Sequence, residues 1–252
     1  MEEILKKDQY NFSVFGDNDQ SLQLILLQNQ TVYTQIQNIV YASGKLSIKK
    51  IKENCWTKIS NFFSSKMLYN YRIKNRKGAI EYAGLSKSTG GKIIAINPEV
   101  IGDSIITRSN AILAYTDGVE MQEKKEMIIF LQKEDWKEVS GDGIIFMQTP
   151  GMLTEKNLGL EEEISVAFNS LVAFSKDVKI SHSSKQMSFA NMLLYDWAFL
   201  KIKGPGVIYM ESTGFSKLER TKQAKKMEIM YFFLFFASAL IIFGIERLMM
   251  HR

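Results

Sequence analysis

The chain has 252 residues, of which 46% are hydrophobic and 23% charged, and its formal net charge is +5 at pH 7. These values exclude a disordered chain and predict one large body with a substantial buried core. The single cysteine, Cys55, excludes an intrachain disulfide framework, and two histidines, His182 and His251, are too few for an ordinary zinc site. We therefore expect neither a metal nor a cofactor.

The N-terminal arm, residues 1–11, lacks the apolar core of a secretory signal. Residues 12–214 then alternate short runs of β-branched and aromatic residues with Gly, Asn, Asp and Ser, which is typical of an all-β domain. The runs include SLQLILL at 21–27, KIIAIN at 92–97 and EMIIFLQ at 126–132. We predict a mainly β domain over residues 12–214, built as an antiparallel β-sandwich or barrel.

A basic insertion, residues 45–77, interrupts this pattern. Its apolar residues recur near helical spacing and predict one amphipathic helix at about 48–64. The polar face of this helix carries Lys49, Lys50, Lys52 and Lys58. Two interpretations remain open: a helix that caps the β body with solvated lysines, or a face that contacts anionic lipid or an acidic partner. Nucleic-acid binding is disfavoured, because base stacking needs exposed aromatic residues and those of this segment fit the apolar face.

Three segments of the β region align with one another: 31–46, 104–119 and 163–178. Each segment has a β-type run, one or two small polar residues, an apolar run and a short turn before the next strand. The alignment predicts internal pseudo-threefold repeats, whose units together bury a core that no single unit closes.

Glycine-containing turns precede one predicted strand of each unit. The two most similar are GDGIIFMQTPG at 141–151 and GPGVIYMESTG at 204–214. We predict that these glycines are structural, because glycine supplies a positive φ or permits close backbone approach. They are Gly78, Gly141, Gly143, Gly204 and Gly206. A phosphate-binding loop is disfavoured because each GxG motif enters a strand rather than a helix.

The reactive side chains form no recognisable catalytic set. His182 lies among serines in KISHSSK without a GxSxG elbow, and the acidic run 161–163 is typical of solvated turn charges rather than of a calcium loop. Trp136 and Trp197 precede the glycine turns and fit core positions. We expect no catalytic residue and interpret the protein as a non-enzyme.

The C-terminal part predicts a membrane anchor. Residues 215–228 are basic and include Lys222, Lys225 and Lys226, which we expect to contact lipid or a partner. The run IMYFFLFFASALIIFGI at 229–245 contains no charged residue, so the segment 229–252 is interpreted as one transmembrane helix and a short tail. The positive-inside rule places the main domain on the electrically negative side of the membrane. In a mitochondrial inner membrane that side is the matrix; an outer membrane or a bacterial cytoplasmic membrane is the alternative.

Five stretches carry a family resemblance: FSVFGDNDQSLQLILL at 12–27, GAIEYAG at 78–84, ILAYTDGV at 112–119, LVAFSKDV at 171–178 and GPGVIYMES at 204–212. They resemble the altered-inheritance-of-mitochondria protein 24 family, whose members are similar in fold to the tryptophan RNA-binding attenuation protein. The resemblance implies a threefold-repeated antiparallel β body. For mitochondrial members it also implies an inner-membrane-associated protein tied to membrane architecture and respiratory complexes.

These features together predict a non-enzymatic, membrane-anchored structural or accessory subunit. Its partners would be other subunits of a mitochondrial inner-membrane complex, in the respiratory chain or the ATP synthase assembly, with anionic lipid as a further contact. The alternative is a membrane-attached β-scaffold that binds a lipid, a small ligand or RNA.

Overall fold

A computed structural model describes residues 10–51, 71–124, 136–182 and 199–212. The chain divides into two compact domains, and these residues belong to the first, Met1–Thr213. The second domain, Gly214–Arg252, lies outside the described residues. The described strands are β1 Asn11–Phe15, β2 Ser21–Leu26, β3 Thr31–Thr34, β4 Ile39–Ala42, β5 Ser47–Lys50, β6 Tyr71–Lys74, β7 Glu81–Leu85, β8 Lys92–Ile96, β9 Ser104–Arg108, β10 Ile112–Thr116, β11 Val119–Glu123, β12 Trp136–Gly141, β13 Ile145–Thr149, β14 Leu153–Leu158, β15 Glu163–Ala167, β16 Leu171–Ser175, β17 Lys179–His182, β18 Phe199–Lys203 and β19 Gly206–Glu211. Short 3-10 helices lie at Ile36–Asn38, Pro98–Ile101, Ser109–Ala111 and Phe168–Ser170.

The strands repeat one topology. Two six-stranded antiparallel sheets have the orders β5-β6-β3-β10-β13-β8 and β11-β12-β9-β16-β19-β14, and the second order is the first with every strand number raised by six. The described strands therefore form three repeats, unit 1 (β2–β7), unit 2 (β8–β13) and unit 3 (β14–β19), with β1 added at the edge of β2. Each six-stranded sheet combines strands of one unit with strands of the next. The predicted antiparallel β body is confirmed.

The aligned sequence segments coincide with the repeated elements. Thr31, Ser104 and Glu163 begin β3, β9 and β15, the second strands of the three units. Each of these strands is followed by a 3-10 helix and then by the third strand of its unit, β4, β10 or β16. The sequence alignment thus pairs positions that are equivalent in the fold.

The third sheet is interrupted. By the common order, β17-β18-β15 of unit 3 would continue into β4-β7-β2 of unit 1. The described strands instead form a four-stranded sheet, β1-β2-β7-β4, and a separate three-stranded sheet, β15-β18-β17. The pairing that these strands lack is that of β4 with β15.

Alternation along the strands places the core. In β2, Leu22, Leu24 and Leu26 are buried and the residues between them are partly exposed, which is the period-two pattern of a sheet with one covered face. One buried cluster joins β2, β7, β10 and β13, and another joins β9, β12, β15, β16, β18 and β19. Trp136 lies in the second cluster, with its ring 5.8 Å from that of Phe174, as predicted; Trp197 lies outside the described residues.

The predicted helix at about 48–64 is wrong at its start. Residues Ser47–Lys50 form β5 and pair with β6, with Ile48 opposite the buried Ile73. The hydrogen bonds offered by β6 override the local helical spacing, and the lysines suit an edge strand because charge discourages further pairing. Residues 52–64 lie outside the described residues.

The remaining predicted segments cannot be compared with coordinates. The N-terminal arm up to residue 9, the apolar run 126–132, the basic segment 215–228 and the anchor 229–252 all lie outside the described residues. In the four described ranges, no helix has the length and apolar content to cross a bilayer.

Candidate functional site

A β-bulge occurs at the same position in all three units. The pairing of the third strand with the sixth shifts register between Ile39 and Tyr41 in unit 1, and at the equivalent positions of β10 and β16. The bulged residues are therefore Val40, Leu113 and Val172. A bulge leaves one residue outside the ladder, so its backbone groups need another partner.

A buried threonine supplies that partner in two of the three cases. The Leu113 carbonyl oxygen accepts a hydrogen bond from Thr34 Oγ1 at 2.8 Å, and the Val172 carbonyl oxygen accepts one from Thr107 Oγ1 at 3.3 Å. Both threonines are inaccessible to solvent and lie in the second strand of the preceding unit. We call this contact between a threonine hydroxyl and a bulge carbonyl the hydroxyl latch.

Unit 3 lacks the residue that would form the third latch. Val166 occupies the position of Thr34 and Thr107, and its side chain has no hydroxyl to donate to Val40. Among the described strands, β4 pairs with β7 alone and β15 pairs with β18 alone. Each strand therefore has an edge that no other described strand covers, and we call these two edges together the open seam.

The open seam exposes apolar side chains whose equivalents are buried. Val40 is 61% exposed, whereas Leu113 and Val172 are 0% exposed. Ile36, in the 3-10 helix before β4, is 53% exposed, and its equivalent Phe168 in unit 3 is buried. This exposure occurs in unit 1, whose third strand, β4, has a described neighbour on one side alone.

The β4 backbone keeps the support of β7. Tyr41 takes the place of the small residues Ala114 and Ala173, and its ring covers Gly84, where a Cβ would overlap the ring. The Tyr41 hydroxyl donates a 2.7 Å hydrogen bond to Gln23 Oε1. The large residue and the small residue have thus exchanged strands. Tyr41 is 42% exposed, and β4 is paired along its β7 edge while its other edge has no described neighbour.

A second polar feature joins the units in the interior. The ammonium of Lys87 donates to the carbonyl oxygens of Asn110 and, at 3.2 Å, of Gln148, and the backbone N–H of Lys87 donates to Gln148 Oε1 at 2.7 Å. Gln148 also donates to the Gln20 carbonyl oxygen at 2.9 Å. We call this group, with Glu211, the polar centre. Its members come from all three units.

The environment of Lys87 disfavours its charged form. Burial of the ammonium lowers the pKa of Lys87 to about 7, and the negative charge of Glu211 acts in the opposite direction. The residue as a whole is partly exposed, so only the end of the side chain is enclosed. Because both named acceptors of the ammonium are main-chain carbonyls, the geometry fits a contact that holds units 1 and 2 together. No pattern in the sequence indicates this burial.

The predicted basic site divides between described and undescribed residues. Lys49 and Lys50 are exposed on β5, and Lys49 lies opposite Arg72 of β6, which in turn lies opposite Tyr33 of β3. The Tyr33 ring stacks on Tyr115 with centroids 5.0 Å apart. Burial raises the pKa of both tyrosines, to about 12 for Tyr115, and the nearby Asp117 carboxylate acts in the same direction. Lys52, Lys58, Lys222, Lys225 and Lys226 lie outside the described residues.

The predicted glycines have unequal roles. Gly141 and Gly206 have φ of +99° and +143°, and a Cβ at either would overlap a neighbouring atom. Cβ atoms at Gly143 and Gly204 would also collide with backbone carbonyl oxygens. Gly78 differs: the nearest neighbour of a Cβ there is 3.9 Å away, and the pairing register places Glu81 at the position of Gly143 and Gly206. The interpretation of Gly78 as the equivalent glycine of unit 1 is therefore wrong.

The other candidate groups are dispersed. His182 ends β17. The acidic run pairs with lysines of β14 and β18: Glu161 with Lys203, Glu162 with Lys156 at 2.8 Å and Glu163 with Lys201 at 2.6 Å. Within the described part of the chain, no three His, Cys, Asp or Glu side chains come together as metal ligands would.

The fold defines a class of β proteins made of three consecutive six-stranded units. A family model described as mitochondrial biogenesis AIM24 matches residues 12–213, so the chain belongs to this family, as the sequence resemblance predicted. A crystal structure of protein SPYM3_0169 from Streptococcus pyogenes is similar, with a TM-score of 0.68 and 13% sequence identity, over 86% of this chain and 100% of that chain. At this identity the likeness concerns the fold. No curated protein matches the sequence.

Proposed function

We propose that this protein is a non-enzymatic accessory subunit of a mitochondrial inner-membrane complex, and that its β body binds neighbouring subunits. Membership of a family described by mitochondrial biogenesis supports the compartment. The proposed complex belongs to the respiratory chain or the ATP synthase assembly, and the proposed role is to support its assembly or the architecture of the membrane.

The open seam is the observation that carries this proposal. Exposed strand edges template unwanted pairing, and proteins usually protect them with lysine, proline or a covering element. Strand β5 has such lysines, whereas β4, with the sequence IVYA, has no charge and no proline. An unprotected edge beside the exposed Val40 and Ile36 is expected where a partner covers it.

Attachment to the membrane is part of the proposal. The apolar run 229–245 would anchor the chain by a single span, and Lys222, Lys225 and Lys226 would lie at the matrix-side headgroups. The exposed Lys49 and Lys50 of β5 suit the same anionic surface, since cations near such a surface add about 1 kcal/mol each.

Native gel electrophoresis after mild detergent extraction tests the subunit role. We expect the full-length chain to migrate with a larger complex at fixed stoichiometry. A chain truncated after Lys226 is the control for the anchor, and carbonate extraction should release the truncated chain but not the full one. Recovery of the full-length chain solely as a free monomer would contradict the proposal.

A second candidate function rests on the row formed by Lys49, Arg72 and Tyr33. Cations beside stacked aromatic rings suit a phosphate-bearing ligand, so the body would be a membrane-attached scaffold for a lipid or RNA. Mass spectrometry and nuclease treatment of the purified protein separate the two functions. Stoichiometric lipid or RNA on an isolated chain favours the scaffold.

A further inference from the structure

In units 2 and 3, the position that is open beside β4 is filled: β3 lies beside β10, and β9 lies beside β16. In unit 2, β3 pairs with β10 so that Thr34 lies opposite Ala114 and Val32 lies opposite Thr116. In unit 3, β9 pairs with β16 in the same register, with Thr107 opposite Ala173. Both added strands, β3 and β9, are antiparallel to the strands they pair with, β10 and β16.

The added strands β3 and β9 share a short sequence pattern. Read from the N-terminus, they present Val32-Tyr33-Thr34 and Ile105-Ile106-Thr107. The first residue is β-branched and buried, the second is bulky, and the third is the threonine that forms the hydroxyl latch. We therefore expect this pattern in any strand that pairs with the bulged third strand. The bulge carbonyl oxygen needs a hydrogen-bond donor, and the flanking positions need apolar side chains.

We infer that the open edge of β4 binds an extended strand of a partner subunit. That strand is antiparallel to β4 and carries a β-branched residue, a bulky residue and then a threonine or serine whose hydroxyl donates to the Val40 carbonyl oxygen. This inference rests on the proposed accessory-subunit function, for which it names the contact surface. The mode of binding is strand addition, in which main-chain hydrogen bonds give affinity and side-chain sites give specificity.

The chain's own strand β15 does not meet this requirement. Val166 stands at the latch position and cannot donate a hydrogen bond, and β15 and β4 do not pair. Val166 is itself buried in the cluster of units 2 and 3, so its side chain is engaged elsewhere. A partner strand with a hydroxyl at this position donates the hydrogen bond to the Val40 carbonyl oxygen that Val166 cannot donate.

A second copy of the described residues does not supply the strand either. The strands with the matching pattern, β3 and β9, are interior strands with neighbours on both sides: β6 and β10 for β3, β12 and β16 for β9. A second copy would have to break its own sheet to donate one of them. Among the described strands, therefore, neither this chain nor a second copy fits the position, and we assign it to a partner subunit.

A peptide copied from β9 tests the inference with the full-length chain in detergent micelles. The probe is a fluorescent peptide with the sequence of residues 102–110, GDSIITRSN, and binding is measured by fluorescence anisotropy. We expect saturable binding. The peptide with Thr107→Val should bind about fivefold to tenfold more weakly, because one hydrogen bond is lost, and a scrambled peptide should not bind.

Matched variants of the chain locate the contact. Val40→Lys places a charge on the open edge and should weaken the peptide at least about tenfold, whereas Val100→Lys changes another exposed valine outside the seam and should bind normally. Circular dichroism should show that both variants fold. Equal binding by the two variants would overturn the inference, as would equal binding of the threonine and valine peptides, or no binding at all.

The result separates this inference from the proposed function. If the chain migrates with a larger complex but does not bind the peptide, strand addition is refuted and the accessory role is not. A chain that binds the peptide but migrates solely as a monomer refutes the accessory role. A dimer of the wild-type chain that Val40→Lys converts to a monomer would assign the seam to a second copy and would overturn the inference.

Discussion

At the residue scale, each hydroxyl latch is a buried hydrogen bond that shares an atom with a second contact: the Leu113 carbonyl oxygen also accepts from Asn38 Nδ2 at 3.2 Å, and the Thr107 hydroxyl has two acceptors within reach. Thr107 Oγ1 donates to the Val172 carbonyl oxygen and also lies 3.2 Å from Met147 Sδ. Thr107→Val keeps the side-chain shape and removes the donor. We expect the free energy of unfolding to fall by about 1 kcal/mol, measured by urea denaturation.

An exposed threonine provides the control for this substitution. Thr154 of β14 is exposed, so Thr154→Val should change the free energy of unfolding by less than about 0.5 kcal/mol. Equal losses in the two variants would mean that valine itself, and not the missing hydroxyl, causes the change.

Lys87 makes stability depend on pH in a defined direction. Its pKa in the fold is about 7, below the ordinary 10.5. Between these values the unfolded chain binds more protons, so the contribution of Lys87 to the free energy of unfolding rises with pH from about 7 to 10.5. Below about pH 7 both states are protonated and this contribution is constant.

Lys87→Met should remove that rise. The difference in free energy of unfolding between wild type and Lys87→Met should change with a slope of up to about 1.4 kcal/mol per pH unit when urea titrations are compared at pH 7, 8 and 9. Lys49→Met, at an exposed position on β5, serves as the control and should follow the wild-type profile. Parallel profiles for wild type and Lys87→Met would contradict the assignment.

Sequence alone reveals some of these residues and conceals others. The change from Thr34 and Thr107 to Val166 is visible once the repeats are aligned, but its meaning depends on the bulge carbonyl, which only the fold displays. Aligning similar letters equates Gly78 with Gly143, whereas strand pairing selects Glu81. Lys87 reads as a surface lysine because the groups that bury it are distant in sequence.

At the element scale, the three bulges give a graded comparison within one molecule. Leu113 is fully buried between two units, whereas Val40 is largely exposed at the open edge. We expect Leu113→Ala to lower the free energy of unfolding by about 2–5 kcal/mol and Val40→Ala by less than about 0.5 kcal/mol. Thermal and urea unfolding of the purified chain measure both. A similar loss for Val40→Ala would mean that β4 is covered within the free chain.

The end of the ladder between β11 and β12 depends on glycine at one position. Gly141 has φ of +99°, and a Cβ there would overlap the Gly118 carbonyl oxygen. Gly141→Ala should lower the free energy of unfolding by about 1–3 kcal/mol, measured by urea denaturation. Gly78→Ala has open space and should change it by less than about 0.5 kcal/mol, so equal effects would refute the distinction.

The basic insertion shows how an element can be misread. Ile48 and Ile51 fit a helical spacing with later apolar residues, yet Ser47–Lys50 forms an edge strand on β6. The alternation of Ile48 with polar neighbours is also a strand pattern, and over so short a run the two periods are indistinguishable. The partner strand, distant in sequence, decides between them.

At the scale of the whole molecule, the repeated sequence predicts the repeated topology. The positions that begin β3, β9 and β15 can be identified from the aligned patterns alone, because equivalent strands need equivalent apolar residues. The missing pairing between β15 and β4 cannot be identified from the sequence patterns. Sequence repetition implies three equal sheets, and only pairing shows that unit 3 and unit 1 leave their shared sheet open among the described strands.

The proposed contact at the open seam predicts that association with a larger complex is more sensitive to Val40 than folding is. Because Val40 is largely exposed in the free chain, Val40→Lys should leave the free energy of unfolding within about 0.5 kcal/mol of wild type. In cells, the variant should reach the membrane fraction as wild type does but migrate on native gels apart from the larger complex. Val100→Lys, at another exposed valine, should remain associated. If Val40→Lys also remains associated at wild-type stoichiometry, the seam is not the surface through which the protein joins its complex.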